Sequence, residues 1–157
     1  MPPASWNRAS RLFAVSGERG DENLSRKLFL GAVAFEADGD LADGTMQCNC
    51  RFCRKMRYWE MRLPDAGGLR MLRGQDALAE TPRMQDDGVD MRHVFCGRCG
   101  TRLWTRGNLA ELGGAFTMVF VPALDDVPEA ELIAAPVFHA DGAHDDWWNQ
   151  AAETRHL

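Results

Sequence analysis

The chain has 157 residues, 45% of them apolar and 26% charged, which is enough for one domain with its own core and too little for two of ordinary size. Eighteen Lys and Arg against 23 Asp and Glu leave a net charge of −5, so sequence-blind attraction to nucleic acid or anionic lipid is disfavoured. No apolar run approaches the roughly 20 residues of a membrane helix, and the start of the chain has no apolar stretch of signal type. A cytoplasmic protein without nucleic-acid or membrane partners is the expectation.

In chain order, residues 1–26 read as an N-terminal extension. Arg8 and Arg11 with Ser5, Ser10 and Ser16, and no acid before Glu18, give it a faint transit-peptide character. Residues 27–157 read as the folded domain. Lys27 to Ala37 alternates partly, with Phe29, Val33 and Phe35 on one face and Leu28 and Leu30 on the other, and predicts a strand that Asp38-Gly39-Asp40 ends in a turn. A cysteine group follows at 48–53. Tyr58 to Leu63 predicts a strand stopped by Pro64, and Leu69, Met71 and Leu72 predict another. Asp86-Asp87-Gly88 marks a loop before a second cysteine group, after which Thr101 to Thr105 reads as a strand. Gly113 to Val121 is the clearest strand, with Phe116, Met118 and Phe120 on one face and Thr117, Val119 and Val121 on the other, ended by Pro122. Asp125, Asp126, Pro128, Glu129 and Glu131 then predict a short helical turn that Pro136 stops. The fold class is mostly β, a single domain with short helical turns.

Five cysteines, an odd number, fall into two tight groups, Cys48-Asn49-Cys50-Arg51-Phe52-Cys53 and Cys96-Gly97-Arg98-Cys99-Gly100. A disulfide framework would scatter them. Closely spaced thiols on short turns aim several sulfurs at one centre, and soft thiolates select zinc or an iron–sulfur cluster over magnesium or calcium. Zinc is preferred, because nothing else in the chain points to electron transfer. The C-x-x-C pair has the form of a zinc knuckle at the tip of a β-hairpin, with Gly97 and Gly100 permitting positive φ; its rival is a redox pair. The C-x-C-x-x-C group admits two readings of equal standing. Cys48, Cys50 and Cys53 hold one zinc with an open fourth position, as catalysis requires, or two of them join Cys96 and Cys99 in a closed structural site.

With both groups placed, the chain resembles the glutathione-dependent formaldehyde-activating enzyme family, which includes centromere protein V. The resemblance spans about residues 27–157 and rests on Leu30 to Phe35, Cys48 to Lys55, Phe95 to Thr101, and a tail running from Leu124-Asp125-Asp126 through Asp141-Gly142 and Trp147-Trp148 to Glu153–Leu157. It implies a zinc-containing β-tent fold, a catalytic zinc on Cys48, Cys50 and Cys53, and a second, structural zinc on Cys96, Cys99 and an earlier C-x-C-G. Leu28 and Leu30, before Gly31, stand where that earlier pair belongs. Burying two leucines offers about 1.5–3 kcal/mol each in place of the missing ligands. Cys96 and Cys99 are then free thiols, a disulfide, or donors to the remaining zinc.

The resemblance further implies a carbon–sulfur lyase that joins glutathione to formaldehyde or a related aldehyde, giving S-(hydroxymethyl)glutathione. Three thiolates on a divalent cation leave the site with one negative charge, which favours thiol activation over carbonyl polarisation. Arg51, Arg54 and Lys55, with Arg57, place four cations within seven positions of an acidic chain, and the first three are candidate ligands for the glutathione carboxylates. Trp104, Trp147 and Trp148 are expected mainly as core, and His93, His139, His144 and His156 as core or solvated side chains. The alternative function is a non-catalytic zinc module with a closed four-cysteine site and a protein partner. A thiol redox sensor on Cys96 and Cys99 ranks third.

Overall fold

The structure is a computed structural model that describes residues 31–82 and 89–157 together with the backbone of 23–27. The residues assigned above to the beginning of the N-terminal extension, Leu28 and Leu30, and the Asp86-Asp87-Gly88 loop lie outside the described residues.

Eleven described strands form two sheets. The smaller has the order β1 (Asn23–Lys27), β2 (Ala34–Asp38), β5 (Leu69–Arg73), all antiparallel. The larger runs β11 (Asp146–Gln150), β10 (Val137–Asp141), β3 (Thr45–Cys48), β4 (Trp59–Arg62), β9 (Gly114–Phe120), β8 (Arg102–Leu109), β7 (Asp90–Cys96), β6 (Leu78–Pro82). Only β3 and β10 run parallel among these pairs, with Cys48 opposite Ala140. The two described α-helices are short, α1 (Arg51–Met56) and α2 (Glu129–Ala134). The chain is thus mostly β, as its patterning predicts. No described helix is long and apolar enough to cross a membrane.

The core lies between the sheets. Val33 just before β2, with Phe35 and Ala37 on it, packs with Leu103, Trp104 and Val119 of the larger sheet, all buried, and Phe35 meets Trp104 edge-on with ring centroids 5.4 Å apart. Edge-to-face aromatic pairs add about 0.5–1.5 kcal/mol beyond the area they bury. β9 is buried on both faces from Phe116 to Phe120, and β4 and β8 cover its two edges in the large sheet. Its alternation therefore separates two interior layers rather than core from solvent.

Of the strand predicted over 27–37, the structure has β2 from Ala34 onward. β1 meets that range only at Lys27 and otherwise lies in the stretch read as extension, and it pairs antiparallel with β2, Lys27 opposite Ala34. Gly31 between them has φ +61, a left-handed conformation that extended chain does not accommodate. The strands predicted at 58–63, 69–72, 101–105 and 113–121 are present, as is the helical turn, which begins after Pro128 and ends before Pro136. β3, β6, β10 and β11 were not anticipated. Their sequences, such as Thr-Met-Gln-Cys and Asp-Trp-Trp-Asn-Gln, carry too few alternating apolar positions to signal strand without knowledge of their neighbours.

Candidate metal centre and the cavity beside it

β3 delivers Cys48 at its end, and the chain turns at once into α1. Cys50 is the residue before the helix, in extended conformation, and its Sγ accepts the amide of Cys53 at 3.4 Å, while the Cys50 amide donates to Cys48 Sγ, also at 3.4 Å. The helix closes after two turns at Arg57, whose φ of +54 is left-handed. Short spacing plus this cap brings the Sγ atoms of Cys48, Cys50 and Cys53 within 4.8 Å of one another.

Two contacts with the tail lock the loop. Asn49 donates through Nδ2 to Asp141 Oδ1 at 2.6 Å and accepts at Oδ1 from the Ala143 amide at 2.8 Å. Its own amide donates to the Ala140 carbonyl at 3.2 Å. Gly142 leaves the space the sulfurs use, since a Cβ there would lie 2.6 Å from Cys48 Sγ and 2.5 Å from Trp147 Nε1. Neither Asn49 nor Gly142 was singled out for a role by sequence reasoning. Asn49's place between two thiols was the available signal.

The sulfurs divide their protons unequally. Hydrogen bonds from Cys48 and Cys53, with the Cys53 amide, hold the Cys50 thiol far below the usual range. The bond with Cys50 raises Cys48, and the neighbouring sulfurs raise Cys53 further with help from burial. One thiolate is stabilised and two more are opposed, which is the electrostatic situation a divalent cation resolves. Three soft donors, backbone amides aimed at sulfur, and a vacant Cβ position fit a zinc ion.

Cys96 and Cys99 are not members of that group among the described residues. They occupy the turn between β7 and β8, as the knuckle reading expects, with Gly100 amide donating to the Cys96 carbonyl at 2.7 Å. Gly100 has φ +77, whereas Gly97 is not left-handed and instead donates its amide to the Ala77 carbonyl at 2.7 Å. Cys96 is fully buried; Cys99 is half-buried and its thiol is lowered by the Thr101 hydroxyl 3.2 Å away.

Two clefts flank the triad. The larger, about 690 Å³, is lined by Cys50, Cys53, Arg51, Lys55, His93 and Trp147, with Asp145 and Phe52 among its other walls. The smaller, about 200 Å³, includes Cys48, Cys53, Arg54, Arg57 and Tyr58. Arg51 and Lys55, one helical turn apart, thus serve one cleft and Arg54 the other. All three are exposed, and no ion pair engages them among the described residues. Trp104 is core, while Trp147 walls the larger cleft.

Behind that cleft lies a buried polar chain that sequence reasoning missed. His93 Nδ1 is 3.1 Å from Thr105 Oγ1, and Thr105 donates through the same oxygen to Glu60 Oε1. All three residues are buried. Burial raises the Glu60 carboxyl to about 7 against the pull of the Thr105 hydrogen bond. The Phe52 ring lies 4.7 Å from the His93 ring and links the chain to α1.

The fold and site together define a sheet-rich domain with a three-thiol cluster able to hold a metal ion, beside a cleft that Arg51 and Lys55 line. The sequence matches the glutathione-dependent formaldehyde-activating enzyme family over residues 28–140, and the chain belongs to that family. Among solved structures, a Rhodobacter sphaeroides protein is 22% identical, with a TM-score of 0.57 over 72% of this chain and 98% of its own, a likeness of fold. A search of curated proteins finds no match.

Proposed function

We propose that this protein is a zinc-dependent carbon–sulfur lyase that joins glutathione, or a thiol like it, to formaldehyde or a related aldehyde. The observation that carries this reading is the gathering of three sulfurs within 4.8 Å of one another, two of whose residues, Cys50 and Cys53, line a cavity of about 690 Å³ that Arg51 and Lys55 also line. Cys48, Cys50 and Cys53 would hold the zinc, which when bound supplies a thiolate at neutral pH. Arg51 and Lys55 would receive the carboxylates of glutathione, and Asp145 on the same cavity offers a counter-charge for its ammonium. Trp147 and Phe52 would exclude water from the reacting sulfur.

The first test is zinc content by elemental analysis of the wild type beside Cys53→Ala and Cys96→Ala. One zinc lost only in Cys53→Ala supports the open site; one zinc lost in both overturns it in favour of a closed four-cysteine module. Cobalt substitution tests the sulfur step. Glutathione is expected to change the cobalt–thiolate spectrum, and an unchanged spectrum would mean that its sulfur does not reach the metal.

A further inference from the structure

We propose that His93, Thr105 and Glu60 form a proton relay that serves the large cavity, with His93 as the group that exchanges protons with the reacting thiol and aldehyde. The inference rests on the thiol–aldehyde reading above for its substrates, but the relay itself is a property of the buried chain.

The geometry is that of a continuous path. β7 and β8 pair with His93 opposite Thr105, and Glu60 reaches Thr105 from β4, beyond β9. His93 and Met91, two apart on β7, both line the cavity that holds Cys50 and Cys53. One end of the chain therefore meets the space where substrates would sit, and the other is sealed in the protein. A hydroxyl in the middle is both donor and acceptor, so the same three residues make the same contacts with the hydrogen bonds running either way. With Glu60 ionised, His93 Nδ1–H donates to Thr105 and Thr105 donates to Glu60. With Glu60 protonated, the carboxyl donates to Thr105 and Thr105 donates to Nδ1. Moving one proton along the chain converts the first arrangement into the second.

A buried carboxyl balanced near neutrality suits the far end, because neither state is strongly preferred at working pH. Among the described residues, the Tyr58 phenol lies close enough to feel the Glu60 charge, and the Arg102 guanidinium acts in turn on Tyr58. The Tyr58 phenol is raised by burial and by the Glu60 carboxylate, with the Arg102 guanidinium opposing, and so it stays neutral. A purely structural polar chain needs no titratable terminus, and a buried glutamine in place of Glu60 would satisfy Thr105 equally well.

In the forward reaction the thiol proton passes to the imidazole of His93. The sulfur pair then forms the C–S bond and the carbonyl π pair moves onto oxygen. The proton is held on His93 or, through Thr105, on Glu60, and returns to that oxygen. Every atom of thiol and aldehyde is in the product, and the relay ends as it began. The reverse sequence releases aldehyde and thiol.

The test compares wild type, His93→Gln, Glu60→Gln, Thr105→Val and Thr105→Ser at matched zinc occupancy. The first readout is the rate of glutathione–formaldehyde exchange by NMR. We expect a loss of about 100-fold in His93→Gln and about 10-fold in Glu60→Gln and Thr105→Val, with Thr105→Ser restored to near wild type. Equal rates in all five would overturn the relay. The second readout needs no turnover. Nitrogen-15 shifts of the His93 ring should follow a titration near pH 7 in the wild type and lose it in Glu60→Gln; identical curves would overturn the proposal. A wild type inactive toward glutathione and formaldehyde whose His93 shifts still follow Glu60 would sink the reaction and leave the relay supported.

Discussion

The two cysteine groups share the C-x-x-C spacing and little else. At 50–53 the spacing wraps the start of a helix, and a third sulfur arrives from the strand before it, so three thiols converge. At 96–99 it closes a hairpin between two long strands, with one thiol fully buried and the other half-buried beside a hydroxyl. The first group is fixed by the tail, through the contacts of Asn49 with Asp141 and Ala143 and the space left by Gly142; the second is held by its own turn and by the segment before β6, where Ala77 accepts from the Gly97 amide and Asp76 from Arg98. Spacing sets how close two sulfurs come, and the surroundings decide whether a third donor and room for an ion are present.

The largest expected effect breaks the first group alone. Cys50→Ser should abolish zinc retention through gel filtration, while Cys99→Ser should leave zinc content at the wild-type value; equal loss in both would erase the contrast. Gly142→Ala comes next. Its methyl would meet Cys48 Sγ at 2.6 Å, and zinc affinity in a chelator competition should fall about 10–100-fold, as it does when the support of a ligand is disturbed. Asn49→Ala removes two tethers and keeps all three sulfurs, so a loss toward the lower end, about 10-fold, is expected in the same titration. Gly100→Ala sharpens the comparison from the other side. A Cβ there meets nothing within 4 Å, but φ is +77, so denaturant melts should show about 1 kcal/mol of lost stability with zinc affinity unchanged. The smallest effect is chemical. Thr101 lowers the Cys99 thiol and so raises its thiolate fraction near neutrality; Thr101→Val should slow Cys99 alkylation several-fold at pH 7, and the difference should vanish at high pH where both thiols are ionised.

Much of this was legible in the residues. Clustered cysteines announced a metal-type centre, alternation located β4, β5, β8 and β9, and Pro128 and Pro136 bracketed α2, because these signals are local. The cations of α1 were visible too, but not their division between two clefts, which depends on where β3 and the tail place the helix. His93 was legible only as a core or solvated histidine. Its partners are Thr105, 12 positions away, and Glu60, 45 positions from Thr105, and no spacing rule connects them.

The sequence by itself determined the mostly β character, the resemblance to the family and a clustered-cysteine centre of metal type, since each follows from residue types and short spacings. Tertiary structure alone decided which cysteines converge, that Gly142 clears the space beside them, and that a buried carboxylate, hydroxyl and imidazole run in line to the cavity. The parallel pairing of β3 with β10 joins residues more than 90 positions apart, and a contact across such a distance is set by the packing of the whole sheet.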